Sequence, residues 1–271
     1  MPSFWNPKPV VIAGPCSLED DELNLRVAFH LAELAERIGF RAIFKASFDK
    51  ANRSSPSANR GPGLDAGLKL LASVRDQSGL PVLTDVHETW QIRLVAPVVD
   101  ALQIPALLCR QTDLLQAAGA TGKPVNIKKG QWMAPEAMAG AVEKVTGAGC
   151  KEVVVTERGT FFGYGNLVVD MRNFSRLKAV TGKPVIYDAT HSVQRPGHGI
   201  GGSSGGEPEL VPTLLYAAAA AGADGFFVET HPAPSEAPSD SATMWPLSQL
   251  GTLLECGLAI WNTELIRAGK P

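Results

Sequence analysis

The chain has 271 residues, of which 45% are hydrophobic and 19% are charged, with a formal net charge of -2. This length and apolar content are sufficient for a large core, in either one α/β barrel or two smaller domains. The nearly balanced composition argues against a nucleic-acid-binding protein. A local cluster of cations in such a chain is better explained as a binding site for a small anion.

The sequence also favours the cytoplasm over secretion or a membrane. Its four cysteines lie far apart without a CxxC motif, as in proteins of a reducing compartment. The first residues, MPSFWNPKPVV, lack the basic and apolar regions of a signal peptide. The most apolar helix-like stretch, LVPTLLYAAAAAGA, is shorter than the roughly 20 apolar residues that cross a bilayer. We therefore expect a cytoplasmic protein without membrane partners.

Short apolar runs alternate with helical patterns along the whole chain. Most runs are continuous and rich in β-branched residues, which is typical of parallel strands covered on both faces. The runs lie at residues 9–16, 41–48, 81–86, 101–105, 124–130, 152–159, 184–191 and 225–231. Each is followed by a segment with apolar residues at helical spacing, such as Leu31, Leu34 and Ile38 in the first.

Eight strands, each followed by a helix, predict a single (β/α)8 TIM barrel over residues 1–271, with a doubly wound open sheet as the alternative. No low-complexity linker or short repeat divides the chain. The Gly-rich segment RPGHGIGGSSGGEPE follows the seventh strand. It is either a surface connection or a mobile loop over the active face. His198 within it receives no role beyond that of a solvated loop residue.

Polar residues gather at the ends of the predicted strands, where barrels of this type carry their active sites. FKASFDKANRSS, residues 44–55, is the densest example, with three cations and several hydrogen-bonding side chains. The cations at the strand ends are Lys45, Lys50, Arg53, Arg110, Lys128 and Arg158. Singly, each is ordinary for a protein surface. Together they predict a site for two phosphorylated substrates, or for a phosphate and a carboxylate.

A second set of strand-end residues combines a thiol, an imidazole and two carboxylates. These residues are Cys16, His191, Glu229 and Asp240. Such a mixture suits a divalent transition metal. Their spacing is not that of a compact metal motif, so two alternatives stay open: Cys16 as a small buried hydrophobe and His191 as an acid, base or phosphate donor.

Nine segments together resemble the 3-deoxy-D-manno-octulosonate 8-phosphate synthases. They are GPCSLE, FKASFDKANRSS, RGPG, TDVHE, LQIPALLCRQTDLL, VNIKKGQW, TERGTFFGYGNLVVDMR, YDATHSVQRPG and FFVETHPAPSEAPSD, covering nearly the whole chain. The related seven-carbon synthases carry a Lys-Pro-Arg-Thr type of segment where this chain has KANRS. The resemblance implies that phosphoenolpyruvate, D-arabinose 5-phosphate and water give the eight-carbon 2-keto-3-deoxy acid phosphate, for lipopolysaccharide synthesis, and inorganic phosphate.

The resemblance also implies roles for particular residues. The residues matching the phosphoenolpyruvate site are Lys45, Ser47, Gln103, Lys128 and Arg158. Those matching the arabinose 5-phosphate site are Asn52, Arg53 and Ser54, with Lys50 between the substrates and Arg110 reaching the sugar phosphate of a neighbouring subunit. A homotetramer is therefore expected. Lys129 is adjacent to Lys128, and only one of them should enter the site because neighbouring strand residues face opposite ways.

The family divides at the position occupied here by Cys16, where metal-independent members carry Asn. The cysteine implies the metal-dependent class, with Cys16, His191, Glu229 and Asp240 holding one Zn²⁺, Fe²⁺ or Mn²⁺ per subunit. Lys50, His191, Cys16 and Asp240 are then the expected catalytic residues. Two alternatives remain, a seven-carbon synthase that uses erythrose 4-phosphate and a barrel that binds phosphosugars without catalysis.

Overall fold

The computed structural model describes residues 3–5, 9–53, 57–161, 166–199 and 204–263. The main strands are β1 Val10–Gly14, β2 Arg41–Lys45, β3 Val82–Asp85, β4 Ala101–Ile104, β5 Val125–Lys128, β6 Val153–Glu157, β7 Val185–Asp188 and β8 Gly225–His231. The helices that follow them are α1 Asp21–Ile38, α2 Leu64–Ser78, α3 Thr89–Val95, α4 Thr112–Ala120, α5 Met138–Gly147, α6 Asn173–Thr181, α7 Val211–Ala220 and α8 Leu247–Trp261.

The eight main strands form one closed parallel sheet. Each strand pairs with the next in chain order, from β1 to β8. The sheet closes because β1 pairs with β8 as well as with β2, so that Val10 lies opposite both Arg41 and Gly225. The predicted TIM barrel is confirmed, and the alternative of an open doubly wound sheet is wrong.

Alternation along the strands divides the apolar residues between two layers. The interior of the barrel is filled by a small cluster, which consists of Trp5, Val10, Ile12, Ile43, Leu83, Ala101, Val154, Ile186 and Phe227. The intervening residues, such as Val11 and Phe44, face outward and pack under the helices in the larger cluster. Both faces of every strand are thus covered, which explains why the strands appear in the sequence as continuous apolar runs.

The helices begin and end where the sequence provides local signals. In α1 the Asp20 side chain accepts a hydrogen bond from the backbone N–H of Leu23, and Gly39 ends the helix in the left-handed conformation with φ of 88°. Leu31 and Leu34 are buried on its inner face, and Ile38 is half-buried. This amphipathic stripe packs α1 onto the barrel.

Short elements decorate the carboxyl end of the barrel. Two-residue strands pair Thr160–Phe161 with Leu167–Val168 and Gln194–Arg195 with Gly205–Gly206, and Trp245–Pro246 extends β8. Single 3₁₀ turns occur at Ala106–Leu108, Pro135–Ala137, Pro208–Leu210 and Pro234–Glu236. The Gly-rich segment therefore contains a small hairpin, whose residues 200–203 lie outside the described part. None of the helices described is long and apolar enough to span a bilayer.

Candidate active site

The site lies inside the barrel, next to the interior apolar cluster on the side of the carboxyl ends of the strands. Because side chains alternate along a strand, the residue two positions beyond each interior apolar residue also points inward. Applied to the interior cluster, this rule gives Lys45, Asp85, Gln103, Thr156, Asp188 and Glu229, all buried. Charged and amide groups thus replace hydrocarbon at the carboxyl ends of the strands, where barrel enzymes bind substrates.

An amide and hydroxyl network forms the polar floor of this site. Asn126 on β5 donates from Nδ2 to Oε1 of Gln103 at 3.1 Å, and Thr156 Oγ1 donates to Asn126 Oδ1 at 2.6 Å. All three side chains are buried. The network fixes Gln103, so its side chain has one orientation available for a ligand.

Asp188 holds two candidate functional groups at the end of β7. Lys128 Nζ donates to Asp188 Oδ2 at 2.6 Å and lies 3.6 Å from the Phe227 ring centroid. His191 Nδ1 lies 3.0 Å from Asp188 Oδ1, and the His191 backbone N–H donates to the same oxygen. Burial alone would raise the pKa of Asp188, but the nearby His191 and Lys128 hold it far below its usual range. Asp188 is therefore a carboxylate that aims Lys128 and His191.

Asp85 on β3 and Glu229 on β8 lie on either side of Lys45. Lys45 Nζ donates to Glu229 Oε1 at 3.2 Å and to Ser47 Oγ at 3.1 Å, and lies 3.8 Å from Asp85 Oδ1. Asp85 in turn accepts from Ser47 Oγ and contacts His87 Nε2 at 3.0 Å. The structure therefore brings together Lys45 and Ser47 as the sequence predicts, and adds the carboxylates that orient them.

Lys50 reaches the same group of residues from the loop after β2. Its Nζ lies 4.0 Å from Glu229 Oε1, and the residue is buried. Burial alone would lower the pKa of Lys50, but the surrounding carboxylates of Glu229, Asp85 and Asp240 raise it above its ordinary value. The ammonium form is thus the stable one, which suits binding of anions and not proton abstraction.

Arg158 contributes a donor that none of the described residues uses. Its Nη2 donates to Gln194 Oε1 at 2.7 Å, whereas its Nη1 is buried and has no hydrogen-bond partner within the described residues. An unpaired buried guanidinium nitrogen is costly, and binding of an anion would satisfy it. Gln194 also donates to Asp240 Oδ1 at 2.9 Å, which joins the cationic part of the site to the candidate metal ligands.

The predicted sugar-phosphate residues occupy the rim. Arg53 donates from Nη1 to Ser239 Oγ at 2.8 Å and from Nη2 to the carbonyl oxygen of Pro238 at 3.3 Å, which ties the loop after β2 to the loop after β8. Asn52 is exposed beside it. Ser54 lies outside the described residues.

Two other cations stand apart from the cluster. Arg110 is exposed at the end of the loop after β4, and its backbone carbonyl accepts a hydrogen bond from Lys144 Nζ at 3.1 Å. Its predicted role needs a neighbouring subunit and stays a prediction. Lys129 is fully buried, but on the other side of the barrel wall from Lys128, with Nζ 3.2 Å from Thr160 Oγ1. The two lysines therefore face opposite ways, as strand alternation predicts.

Three of the four predicted metal ligands converge tightly. Ligand atoms of Cys16, Glu229 and Asp240 all lie within 4.8 Å of one another. Cys16 Sγ donates to Asp240 Oδ2 at 2.9 Å and to Ser239 Oγ at 3.1 Å. Burial raises the pKa of the Cys16 thiol well above its ordinary value, and the negative charges of Asp240 and Glu229 raise it further. A divalent cation among these groups would reverse that shift, because it stabilises the thiolate.

His191 faces the same group through its other ring nitrogen. Its Nε2 lies 3.6 Å from Glu229 Oε2. Asp188 contacts Nδ1, so Nε2 is the ring nitrogen that faces the candidate metal ligands. A carboxylate on the second ring nitrogen is the usual arrangement for a histidine that binds a metal. The donor set therefore fits a transition metal held by Cys16, His191, Glu229 and Asp240.

The backbone around these ligands is unusual at two points. Asp240 has φ of 50° and is the only non-glycine residue with positive φ among those described, a conformation that tends to occur at functional sites. At Gly14, a Cβ atom would lie 2.1 Å from the Lys45 carbonyl oxygen. Glycine thus allows β1 to approach β2 closely, next to Cys16.

Sequence reasoning left four buried or bridging residues of this site without a role. They are Asp85, Asp188, Gln194 and Ser239. The first two lie at strand ends, so their position already indicated proximity to the site. Gln194 lies in a two-residue strand beyond the barrel and Ser239 lies in a loop, and only the folded structure shows that they bridge the cations to the candidate metal ligands.

The chain matches a known protein family over most of its length. The profile of the DAHP synthetase I family matches residues 5–263. This range includes every strand of the barrel and all the candidate site residues named above.

Similar curated proteins cover nearly the whole chain. A protein from Nitratidesulfovibrio vulgaris (strain DP4) is 54% identical over 254 residues, 94% of this chain and 92% of the relative. One from Rhodopseudomonas palustris (strain BisB5) is 57% identical over 252 residues, 93% and 88% of the two chains. A third, from Bradyrhizobium sp. (strain ORS 278), is 56% identical over 257 residues, 94% and 89%. All three are named 2-dehydro-3-deoxyphosphooctonate aldolase.

Proposed function

Because the chain belongs to the DAHP synthetase I family, we propose that it condenses phosphoenolpyruvate with D-arabinose 5-phosphate and water. The products are 3-deoxy-D-manno-octulosonate 8-phosphate, a precursor for lipopolysaccharide, and inorganic phosphate. The observation that carries this proposal is the 53–57% identity, over 93–94% of the chain, to relatives named 2-dehydro-3-deoxyphosphooctonate aldolase.

The charge of the barrel mouth supports binding of phosphoenolpyruvate there. This substrate carries a carboxylate and a phosphate on adjacent positions, and it needs several cationic donors in a small volume. Lys45, Lys128 and Arg158 are buried around one cavity, and Arg158 Nη1 has no partner among the described residues. Ser47 and the fixed amide of Gln103 add neutral hydrogen bonds. These five residues bind phosphoenolpyruvate.

The loop after β2 binds the sugar phosphate. Asn52, Arg53 and Ser54 follow Lys50 directly in the sequence, so one segment serves both substrates. Arg53 lies at the rim with its guanidinium on the loop after β8. Arg110, exposed on a different loop, contacts the sugar phosphate of a neighbouring subunit in a homotetramer. Lys50 stands between the two substrates and neutralises charge on both.

The reaction forms one carbon–carbon bond and breaks one carbon–oxygen bond. C3 of phosphoenolpyruvate attacks the aldehyde carbon of the sugar, whose oxygen takes a proton. Positive charge develops at C2, water adds there and loses a proton, and the C2–O bond to phosphate breaks. Lys45, Lys128 and Arg158 stabilise the phosphate as negative charge grows on it. Lys50, as an ammonium group beside these residues, stabilises the same developing negative charge, and His191 belongs to the proposed metal ligands.

A divalent metal completes the site in this proposal. Cys16, His191, Glu229 and Asp240 would hold one Zn²⁺, Fe²⁺ or Mn²⁺, since this mixture of sulfur, nitrogen and oxygen donors accepts each of them. Such an ion supplies Lewis acidity, which orients an aldehyde or activates water. The metal-dependent class is thus proposed from the donor set and its geometry. The protein acts in the cytoplasm, on small molecules and not on nucleic acid.

The first prediction concerns the acceptor sugar. Phosphate release from phosphoenolpyruvate should be fast with D-arabinose 5-phosphate and about 100-fold lower in kcat/KM with D-erythrose 4-phosphate, whose shorter chain cannot reach Arg53 and Lys50 together. The measurement is a side-by-side phosphate assay with both sugars and with no sugar as the control. Preference for erythrose 4-phosphate would identify a seven-carbon synthase, and substrate binding without phosphate release would favour a non-catalytic barrel.

A further inference from the structure

A fully buried ion pair lies on the outer side of the barrel wall, next to the candidate active site but not in it. Lys129 Nζ is 3.5 Å from Glu157 Oε1, and both side chains have no exposed area. Neither residue has a place in the proposed reaction. Burying two charges is costly, and such a pair is often no more stabilising than an apolar one. Stability alone therefore does not explain why this ion pair is buried beside the site, and we look for a specific role.

The pair connects two loops that lead out of the barrel. Lys129 donates to Thr160 Oγ1 at 3.2 Å, to the Gly130 carbonyl at 3.3 Å and to the Met133 carbonyl at 3.4 Å. It thereby holds the turn after β5 against the turn after β6.

The carboxylate of the pair is fixed as firmly as the ammonium group. Glu157 Oε1 accepts from the Gly159 N–H at 2.7 Å, and Oε2 accepts from Asn173 Nδ2 at 2.8 Å. With Lys129, three donors therefore surround Glu157. Gly159 has φ of 92°, which a side chain at that position would oppose.

Each member of the pair is the sequence neighbour of a residue that faces the substrate cavity. Lys128 precedes Lys129 and points inward to Asp188, and Arg158 follows Glu157 and points inward to Gln194. The backbone of Lys129 is held in the sheet by its own N–H, which donates to the Thr156 carbonyl at 2.8 Å. Fixing the outward side chains thus fixes the direction of the inward ones.

We infer that Lys129 and Glu157 are positioning residues that aim Lys128 and Arg158 at phosphoenolpyruvate. This inference rests on the proposed function, and it assigns the pair to one substrate of the two. Asn52 and Arg53 of the sugar-phosphate site belong to the loop after β2, and none of the contacts described for the pair reaches that loop. Loss of the pair should therefore weaken binding of phosphoenolpyruvate and leave binding of D-arabinose 5-phosphate nearly unchanged.

The test replaces Lys129 with Met, which keeps the length of the side chain and removes its charge. We expect KM for phosphoenolpyruvate to rise about tenfold or more, as for other residues that orient a ligand-binding side chain. We expect KM for D-arabinose 5-phosphate to change by less than about threefold. Calorimetry with phosphoenolpyruvate alone should show the same weakening in Kd.

The matched control is Lys178→Met, at the amino-terminal end of the barrel. Lys178 Nζ donates to Asp224 Oδ1 at 2.9 Å and to the Gly222 carbonyl at 2.6 Å, so it too loses a carboxylate and a carbonyl partner. This variant should unfold at a lower temperature than the wild type while both KM values stay as in the wild type.

Lys129→Met leaves the buried Glu157 charged and without its partner, and this variant protein could fail to fold. A second variant keeps the test decisive in that case. The double variant Lys129→Met/Glu157→Gln is neutral at both positions, and glutamine retains a carbonyl oxygen for the Gly159 N–H. A folded double variant with wild-type affinity for phosphoenolpyruvate would overturn the inference and leave the pair purely structural. Failure of the wild-type protein itself to bind phosphoenolpyruvate would instead refute the proposed function.

Discussion

Replacing Asp188 with Asn is expected to lower kcat/KM for phosphate release about 100-fold, an effect typical of losing a carboxylate that orients catalytic groups. Asp188 is the only carboxylate described that contacts both Lys128 and His191, at 2.6 and 3.0 Å. The amide would place an N–H group against one of these donors and would leave the Lys128 ammonium without its counter-charge. We also expect the free energy of unfolding to fall by about 3–5 kcal/mol, as when one partner of a buried ion pair is removed.

The control for Asp188→Asn is Asp224→Asn. Asp224 also binds a lysine and a strand N–H, those of Lys178 and Val185, but at the far end of the barrel. Denaturant unfolding and steady-state kinetics on both variants separate stability from catalysis. We expect the activity of Asp188→Asn to fall by much more than its fraction of folded protein. We expect Asp224→Asn to lose stability but to keep the activity of the wild type. Equal kinetic parameters for the two variants would contradict the role given to Asp188.

Removing the divalent metal is expected to lower activity about 100-fold or more, and adding back Zn²⁺, Fe²⁺ or Mn²⁺ singly should restore it. The reason is the donor set. Ligand atoms of Cys16, Glu229 and Asp240 lie within 4.8 Å of one another, and Nε2 of His191 faces Glu229. Replacing Cys16 with Ser should reduce the metal content per subunit as well as the activity. Elemental analysis and phosphate release on the same preparation measure both.

The control for Cys16→Ser is Cys256→Ser, because Cys256 is an exposed cysteine on α8 and is not one of the candidate ligands. That variant should keep its metal and its activity. Full activity of the wild type after complete metal removal would contradict the metal site while leaving the condensation reaction in place. Loss of activity that no added metal restores would point to damage by the chelator treatment and not to a metal requirement.

The barrel could be predicted from the sequence because strands that are buried on both faces consist of consecutive apolar residues. Runs such as PVVIAGPC and EVVVTERG contain consecutive apolar residues, VVIA and VVV, since one set of side chains fills the barrel and the other lies under helices. Each of the eight predicted runs contains one strand of the closed sheet. The boundaries moved inward by one or more residues at most ends, because polar strand-end residues such as Ser47 and His191 lie in loops.

The site could be predicted only in part. The position of a residue on a strand indicates the end of the barrel at which it lies, but not the side chains that it contacts. Alternation correctly separates Lys128 from Lys129. The pairing of Lys128 with Asp188 joins residues 60 positions apart, and it depends on the closure of the barrel. The contact of Arg53 with Ser239 spans 186 positions and joins the loop after β2 to the loop after β8. No local pattern encodes such contacts.

The central claim is that phosphoenolpyruvate is condensed with D-arabinose 5-phosphate through cleavage of the C–O bond. The most direct measurement is mass spectrometry of both products after reaction in water labelled with ¹⁸O. The account predicts an eight-carbon 2-keto-3-deoxy acid phosphate together with inorganic phosphate that carries no label from water, because water attacks carbon and not phosphorus. Labelled phosphate without an eight-carbon product would show simple hydrolysis of phosphoenolpyruvate and would contradict the account.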